Sequence, residues 1–217
     1  MKKSFVFPYE AQYSQSHEPI GLEREIWIVF HGYGQLAEFF IRKFLPLDSA
    51  ERLIIAPEGT NYAYLKDFEG RVGANWMTRH EREIAIANNH RFFEKLMQSI
   101  LEKFTEKPKI HILGFSQGAA TATRWVSQWE MPIETLVLWA GGFAHDLKIL
   151  DAKEKFRLTE IVQVFGDQDE FLTEERMLQQ SQILESLGKE SKKLEFSGGH
   201  VLDTDLLKKV IELEFDG

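Results

Sequence analysis

Cysteine is absent from the 217 residues. Disulfides, thiolate metal sites and a cysteine nucleophile are excluded together. Basic clusters are missing too: 26 Lys and Arg stand against 34 Asp and Glu, and the formal net charge of −8 is spread along the chain. No electrostatic footprint of a nucleic-acid binder is present. No apolar run approaches the roughly 20 residues that a bilayer-spanning helix needs. The chain opens Met1-Lys2-Lys3, as a signal peptide can, but the apolar run that follows stops at Phe7 and meets Pro8, Tyr9 and Glu10. That run is too short for the apolar region of a secretory signal. These absences lead us to expect a soluble cytoplasmic protein. Repeats, low-complexity tracts and Pro/Gly/Ser-rich linkers are lacking as well, so one domain is expected over residues 1–217, a length that supports one substantial core.

What the chain does contain is an alternation of short Ile-, Val- and Leu-rich runs with longer amphipathic stretches. Buried strands are predicted at residues 26–30, 53–56, 110–113, 136–139 and 161–165, with a further strand at 193–196 and an antiparallel edge strand at 4–7. Near-continuous apolar strands mark a sheet covered on both sides, so the fold class is α/β, with a mostly parallel central sheet and helices on both faces. A capping box, Thr78 with Glu81, predicts the start of a helix whose Phe92, Leu96, Ile100 and Phe104 share one face. Further helices are predicted from Thr173 to the stop at Gly188 and from about Asp203 to Leu213. Residues 58–75 read as one long irregular stretch.

Gly114-Phe115-Ser116-Gln117-Gly118 has the form G-x-S-x-G. The string alone is weak evidence; its setting is stronger. An apolar strand comes directly before it and Ala119, Ala120, Thr121 and Ala122 follow as a helix of small side chains, which is how a tight strand-to-helix turn lifts a serine hydroxyl into the open. A serine needs a base within hydrogen-bond reach and a third group to orient that base. His145 and His200 are the histidines that follow Ser116. His200, in Ser197-Gly198-Gly199-His200, lies in a flexible turn after the strand at 193–196 and suits the base. His145 comes too early for an acid on a later strand to precede it and reads as a solvated loop residue. His17, His80, His90 and His111 read as loop, helix-surface and strand residues, and no metal-binding array appears, so no metal and no cofactor are expected. The strand at 161–165 ends in Gly166-Asp167-Gln168-Asp169-Glu170; one carboxylate there is the candidate acid, and spacing does not choose between Asp167 and Asp169.

Taken in order, Val29-Phe30-His31-Gly32-Tyr33-Gly34, the serine pentapeptide, Gly166-Asp167-Gln168-Asp169 and Gly199-His200 resemble the phospholipase/carboxylesterase family of α/β hydrolases, which includes acyl-protein thioesterases and small bacterial carboxylesterases. The resemblance covers residues 26–201. It implies an α/β-hydrolase fold, a serine hydrolase of carboxylic esters, thioesters or lysophospholipids, and a Ser116-His200-Asp169 triad, because the second aspartate of the motif is the family's acid. It also implies an oxyanion hole from the backbone N–H groups of Tyr33 and Gln117, and leaves His31 structural. The chain departs from the family pattern at Gln35, where many members carry Asp, at Ala119 in place of a second Gly, and at Glu170 and Thr173, often Pro. Asn75-Trp76-Met77-Thr78 keeps the family's Trp without the Phe-Asp that often follows.

A small-molecule ester or thioester is the expected partner; the sequence does not fix oligomeric state, and a homodimer is compatible with it. Tyr62, Tyr64, Phe68 and Trp76 give the stretch at 58–75 and its exit an aromatic content that predicts a substrate-binding wall. Two other functions use the same residues or scaffold: a lactone hydrolase or peptidase with this triad, and a ligand-binding protein without turnover.

Overall fold

The computed structural model describes residues 1–212. Its strands are β1 (Tyr13–Gln15), β2 (Glu25–Phe30), β3 (Arg52–Pro57), β4 (Asn61–Lys66), β5 (Glu69–Asn75), β6 (Lys109–Phe115), β7 (Thr135–Trp139), β8 (Glu160–Gly166) and β9 (Lys192–Phe196). Its helices are α1 (Ala37–Phe40), α2 (Arg82–Leu101), α3 (Gln117–Val126), α4 (Ile149–Lys155), α5 (Glu174–Leu187) and α6 (Thr204–Glu212). Seven strands form one sheet in the order β1-β3-β2-β6-β7-β8-β9, parallel throughout except for β1.

Both faces of the sheet are dry. Ile26, Ile28 and Phe30 of β2 meet Phe93, Leu96, Met97 and Trp125 of α2 and α3, in a layer that α4 and α5 complete through Ala152, Leu184 and Leu187. Trp27 and Val29, pointing the other way, pack with Phe40 and Phe44 and with Leu207, Val210 and Ile211 of α6. The alternation follows from the period-2 direction of side chains along a strand. Continuous apolar strands of this kind need helices on two sides, which places the carboxyl ends of β2, β6, β7 and β8 together at one rim.

Several local expectations require correction. The antiparallel edge strand is not residues 4–7; it is β1, which pairs with β3 through Tyr13 and Pro57, while Phe5, Val6 and Phe7 lie exposed and outside any strand. The stretch at 58–75 is largely a hairpin of β4 and β5, turned at Asp67, whose φ of 49° is a left-handed conformation that Asp tolerates. Tyr62, Tyr64 and Val72 alternate with smaller or charged neighbours as strand residues do, a period-2 pattern that aromatic content obscures. Thr78 and Glu81 do not form a capping box: Glu81 is itself the N-cap, at φ 51°, and the Thr78 hydroxyl donates to His80 O. Phe104 falls beyond the end of α2. The helix predicted after Thr173 is α5, its hydroxyl accepting from Arg176 N, with Gly188 in the left-handed cap position. The last helix is α6, and Leu213 lies outside the described residues.

One buried cluster fixes the end of β2. His31, fully buried, donates from Nδ1 to Gly32 O at 2.8 Å and accepts at Nε2 from Gly59 N at 3.0 Å. A ring that accepts at one nitrogen and donates at the other is neutral, and burial, opposed only by the bond to Gly32, lowers its pKa to about 4. The Trp76 indole stacks on it, with ring centroids 4.5 Å apart, and donates to His31 O at 2.8 Å.

Two measurements test this cluster. Trp76→Ala is expected to cost about 3–5 kcal/mol of unfolding free energy, the range for deleting a buried aromatic; a loss below 1 kcal/mol would remove Trp76 from the core. For His31 the folded pKa of about 4 lies below the ordinary 6.5, so between these values the unfolded chain binds the extra proton. The His31 contribution is therefore whole above pH 6.5 and is lost as pH falls toward 4. In urea titrations the parent should lose stability over that window more steeply than His31→Gln, by at most about 1.4 kcal/mol per pH unit; equal slopes would mean that His31 is not held neutral.

Candidate active site

Ser116 stands between β6 and α3 with φ 54° and ψ −118°. This is a strained conformation for a residue with a side chain. Two close approaches hold it. A Cβ on Gly114 would come within 2.3 Å of Ala119 Cα, and one on Gly118 within 2.3 Å of Phe30 O, so only glycine lets the helix start so near the strand ends. Ser116 N donates to Trp139 O at 2.9 Å, tying the turn to β7.

His200 Nε2 lies 2.8 Å from Ser116 Oγ, and His200 Nδ1 lies 2.8 Å from Asp169 Oδ2. A carboxylate only accepts, so Nδ1 carries the hydrogen and Nε2 is the acceptor for the serine hydroxyl. Asp169 is buried and its other oxygen, Oδ1, accepts from Phe171 N at 2.9 Å. Asp167 does different work. It is exposed, and its Oδ1 accepts from Gly198 N at 2.9 Å, while Gln168 N donates to Gly198 O. The acid loop and the histidine loop are thus stapled to one another, and Trp139 Nε1 holds Val201 O at 2.9 Å. The imidazole is flanked by Phe115 and Phe171, with ring centroids at 5.1 and 4.7 Å. His145 is an exposed loop residue at the cavity wall.

Opposite the serine, the loop after β2 exposes one donor. Gly32 N donates to Gln35 Oε1 and Gly34 N to Ala74 O, each at 2.8 Å. Tyr33 N, between them, makes no hydrogen bond among the described residues, and neither does Gln117 N at the start of α3. Gln35 thus serves this loop as an acceptor through its side-chain carbonyl. The Gln117 side chain accepts from Trp76 N at 3.1 Å and donates to Met77 O at 2.9 Å, so residues 76–77 brace the turn from behind.

A cavity of about 820 Å³ opens beside Ser116 and runs between the sheet and α5, with Phe143, Phe171, Leu172 and Met177 among its walls. Ser116, His200, Asp169, Tyr33 and Gln117 all line it. The four aromatic residues expected to form its wall do not. Trp76 is wholly buried in the cluster with His31, behind the loop. Tyr62, Tyr64 and Phe68 belong to the β4–β5 hairpin segment and are exposed, Phe68 at its tip by 92%. Tyr62 donates to Glu58 Oε1 at 2.8 Å, and Glu58 in turn accepts from Ala37 N. The hairpin pairs with the loop after β2 through Gln35 and Ala74, and none of its residues lines the cavity. The walls from 143 and 171–181 were not apparent in the sequence, where they read as loop and helix; the one available signal was Gln163, a polar residue inside an apolar strand.

The model for the family described as phospholipase/carboxylesterase matches residues 12–213. No curated protein matches the sequence significantly. Among solved structures, esterase PE8 superposes with a TM-score of 0.69 at 17% identity, covering 94% of this chain and 97% of that one. Acyl-protein thioesterase 2 from Zea mays gives 0.68 at 14% identity, with the same coverages. The carboxylesterase from Bacillus cereus gives 0.68 at 14%, covering 93% and 92%. With the fold shared and the family model matching nearly the whole of this chain, the protein belongs to the phospholipase/carboxylesterase family of α/β hydrolases.

Proposed function

We propose that the protein hydrolyses carboxylic esters or thioesters through an acyl-enzyme, with Ser116 as nucleophile, His200 as general base and Asp169 as the group that orients it. The observation that carries this reading is the unbroken chain of two 2.8 Å contacts from Ser116 Oγ through His200 to Asp169, at the mouth of a cavity. As Oγ bonds to the carbonyl carbon, its proton passes to His200 Nε2. The carbonyl π electrons move to oxygen, and the free N–H groups of Tyr33 and Gln117 receive that charge, a contribution of about 3 kcal/mol per donor in enzymes of this kind. Collapse of the tetrahedral species breaks the bond to the alcohol or thiol, which takes the proton from His200. Water then repeats the sequence and releases the acid. Asp169, buried and acceptor-only, keeps Nδ1 protonated so that Nε2 faces the serine.

Three substitutions test the assignment. Ser116→Ala should abolish ester hydrolysis and labelling by a fluorophosphonate with the circular dichroism unchanged; activity within about tenfold of the parent would remove Ser116 from the reaction. Asp169→Asn should lower kcat on the order of 10⁴-fold, the scale for an imidazole held in the wrong tautomer. Asp167→Asn, which disturbs only the bond to Gly198 N, should cost far less, and the reverse ranking would transfer the acid role to Asp167.

A further inference from the structure

The cavity beside Ser116 is lined in part by polar side chains that the hydrolase chemistry leaves unused, Gln163, Lys193 and Arg176 among them. Gln163 stands in the middle of β8, between Ile161 and Phe165 in an otherwise apolar strand. It is 8% exposed and lines the cavity. Its Oε1 accepts from Ser191 Oγ at 2.7 Å, which fixes the amide plane. Its Nε2 has no hydrogen-bond partner among the described residues, nor is it sealed from the cavity. A donor that opens into the cavity without a protein partner can donate to a bound ligand in place of water.

The charges around it have one sign. Lys193 of β9 is the register partner of Gln163 and projects from the same face of the sheet; it too lines the cavity, as does Arg176 from the first turn of α5. Neither forms an ion pair among the described residues. Arg176 only donates to Phe171 O. Asp169 is the one carboxylate among the residues lining the cavity, and its oxygens are taken by His200 and Phe171 N. Glu195, two residues beyond Lys193 on the same face of β9, lies outside the lining and is not paired with it. In a chain of formal charge −8, a cavity with two uncommitted cations and no uncommitted carboxylate is selective for negative charge.

Resting on the hydrolase reading above, we infer that the substrate is an ester with a carboxylate at the end remote from the scissile bond, received by the Gln163 amide and the Lys193 ammonium, with Arg176 adding positive charge at the wall. Charge-assisted hydrogen bonds of this kind orient a chain more sharply than apolar contact does, and a site built to donate to an oxyanion discriminates strongly against the analogue that lacks it.

The test compares matched esters. Monoethyl succinate, adipate and suberate, against ethyl butanoate, hexanoate and octanoate, place the carboxylate on the acyl limb; the acetate ester of ω-hydroxyhexanoate, against hexyl acetate, places it on the alcohol limb. On one limb the carboxylate ester should have the higher kcat/KM by about tenfold or more, the scale of one such interaction. Gln163→Leu and Lys193→Met should each shrink that ratio severalfold. Lys193 is exposed on the edge strand, so its variant reports even where Gln163→Leu fails to fold. Neutral esters preferred on both limbs, or a ratio that survives Lys193→Met and the folded Gln163→Leu alike, would overturn the inference while a fluorophosphonate adduct on Ser116 leaves the hydrolase reading standing. No adduct on Ser116 would overturn both.

Discussion

The backbone of Ser116, held at φ 54° and ψ −118°, is the constraint on which the site is assembled. Such a conformation costs of the order of 1–3 kcal/mol and persists only where the surroundings over-determine it. Here the surroundings are β6 on one side, α3 on the other, and glycines at 114 and 118 that let Ala119 and Phe30 approach to distances no side chain would permit. Because the helix begins immediately, Gln117 N has no carbonyl to bond and stays available. Because the serine projects from the turn, its hydroxyl reaches His200 from a different strand end. Strain in one residue thus yields both the projection of the serine hydroxyl and one of the two free donors.

The second donor depends on a separate device. The loop after β2 could fold so that all its N–H groups were satisfied, yet Gln35 and Ala74 take only those of Gly32 and Gly34. Behind the loop, neutral His31 and the Trp76 indole form a rigid floor, and the Gln117 side chain joins that floor to the helix. The two sides of the candidate oxyanion site are therefore coupled through residues 76–77, which make no hydrogen bond to Ser116 or His200 among the described residues. Preorganisation of this kind lets donors act on developing charge without reorganising at the moment of reaction.

The order of motifs along the chain, the apolar strands that carry them and the swap from strand to helix at the serine were all legible without coordinates, because burial on both faces writes a continuous apolar run and a tight turn demands glycine. The positions of Ser116 and His200 follow from where strands end, and strand ends are local properties; between Asp167 and Asp169 only the family resemblance chose. The aromatic residues at 62, 64, 68 and 76 show where such reading fails. Composition marks them as apolar and unusual, but whether an aromatic ring faces a cavity, a core or solvent depends on which way a hairpin is turned, and that depends on its pairing with the loop at Gln35.

By itself the sequence determined the α/β class, the parallel strands and the glycine-flanked strand-to-helix turn at Ser116, since each rests on spacing within a few residues or on periodicity along one element, and it offered a candidate serine, acid and histidine in chain order. Tertiary structure alone decided that Asp169 Oδ2 lies 2.8 Å from the imidazole while Asp167 bonds Gly198 N. It also decided that Trp76 supports the loop from behind, and that Gln163 meets Lys193 across two strands. Those outcomes turn on contacts between residues 30 to 45 positions apart in the chain, and no local pattern encodes the orientation of one element against another.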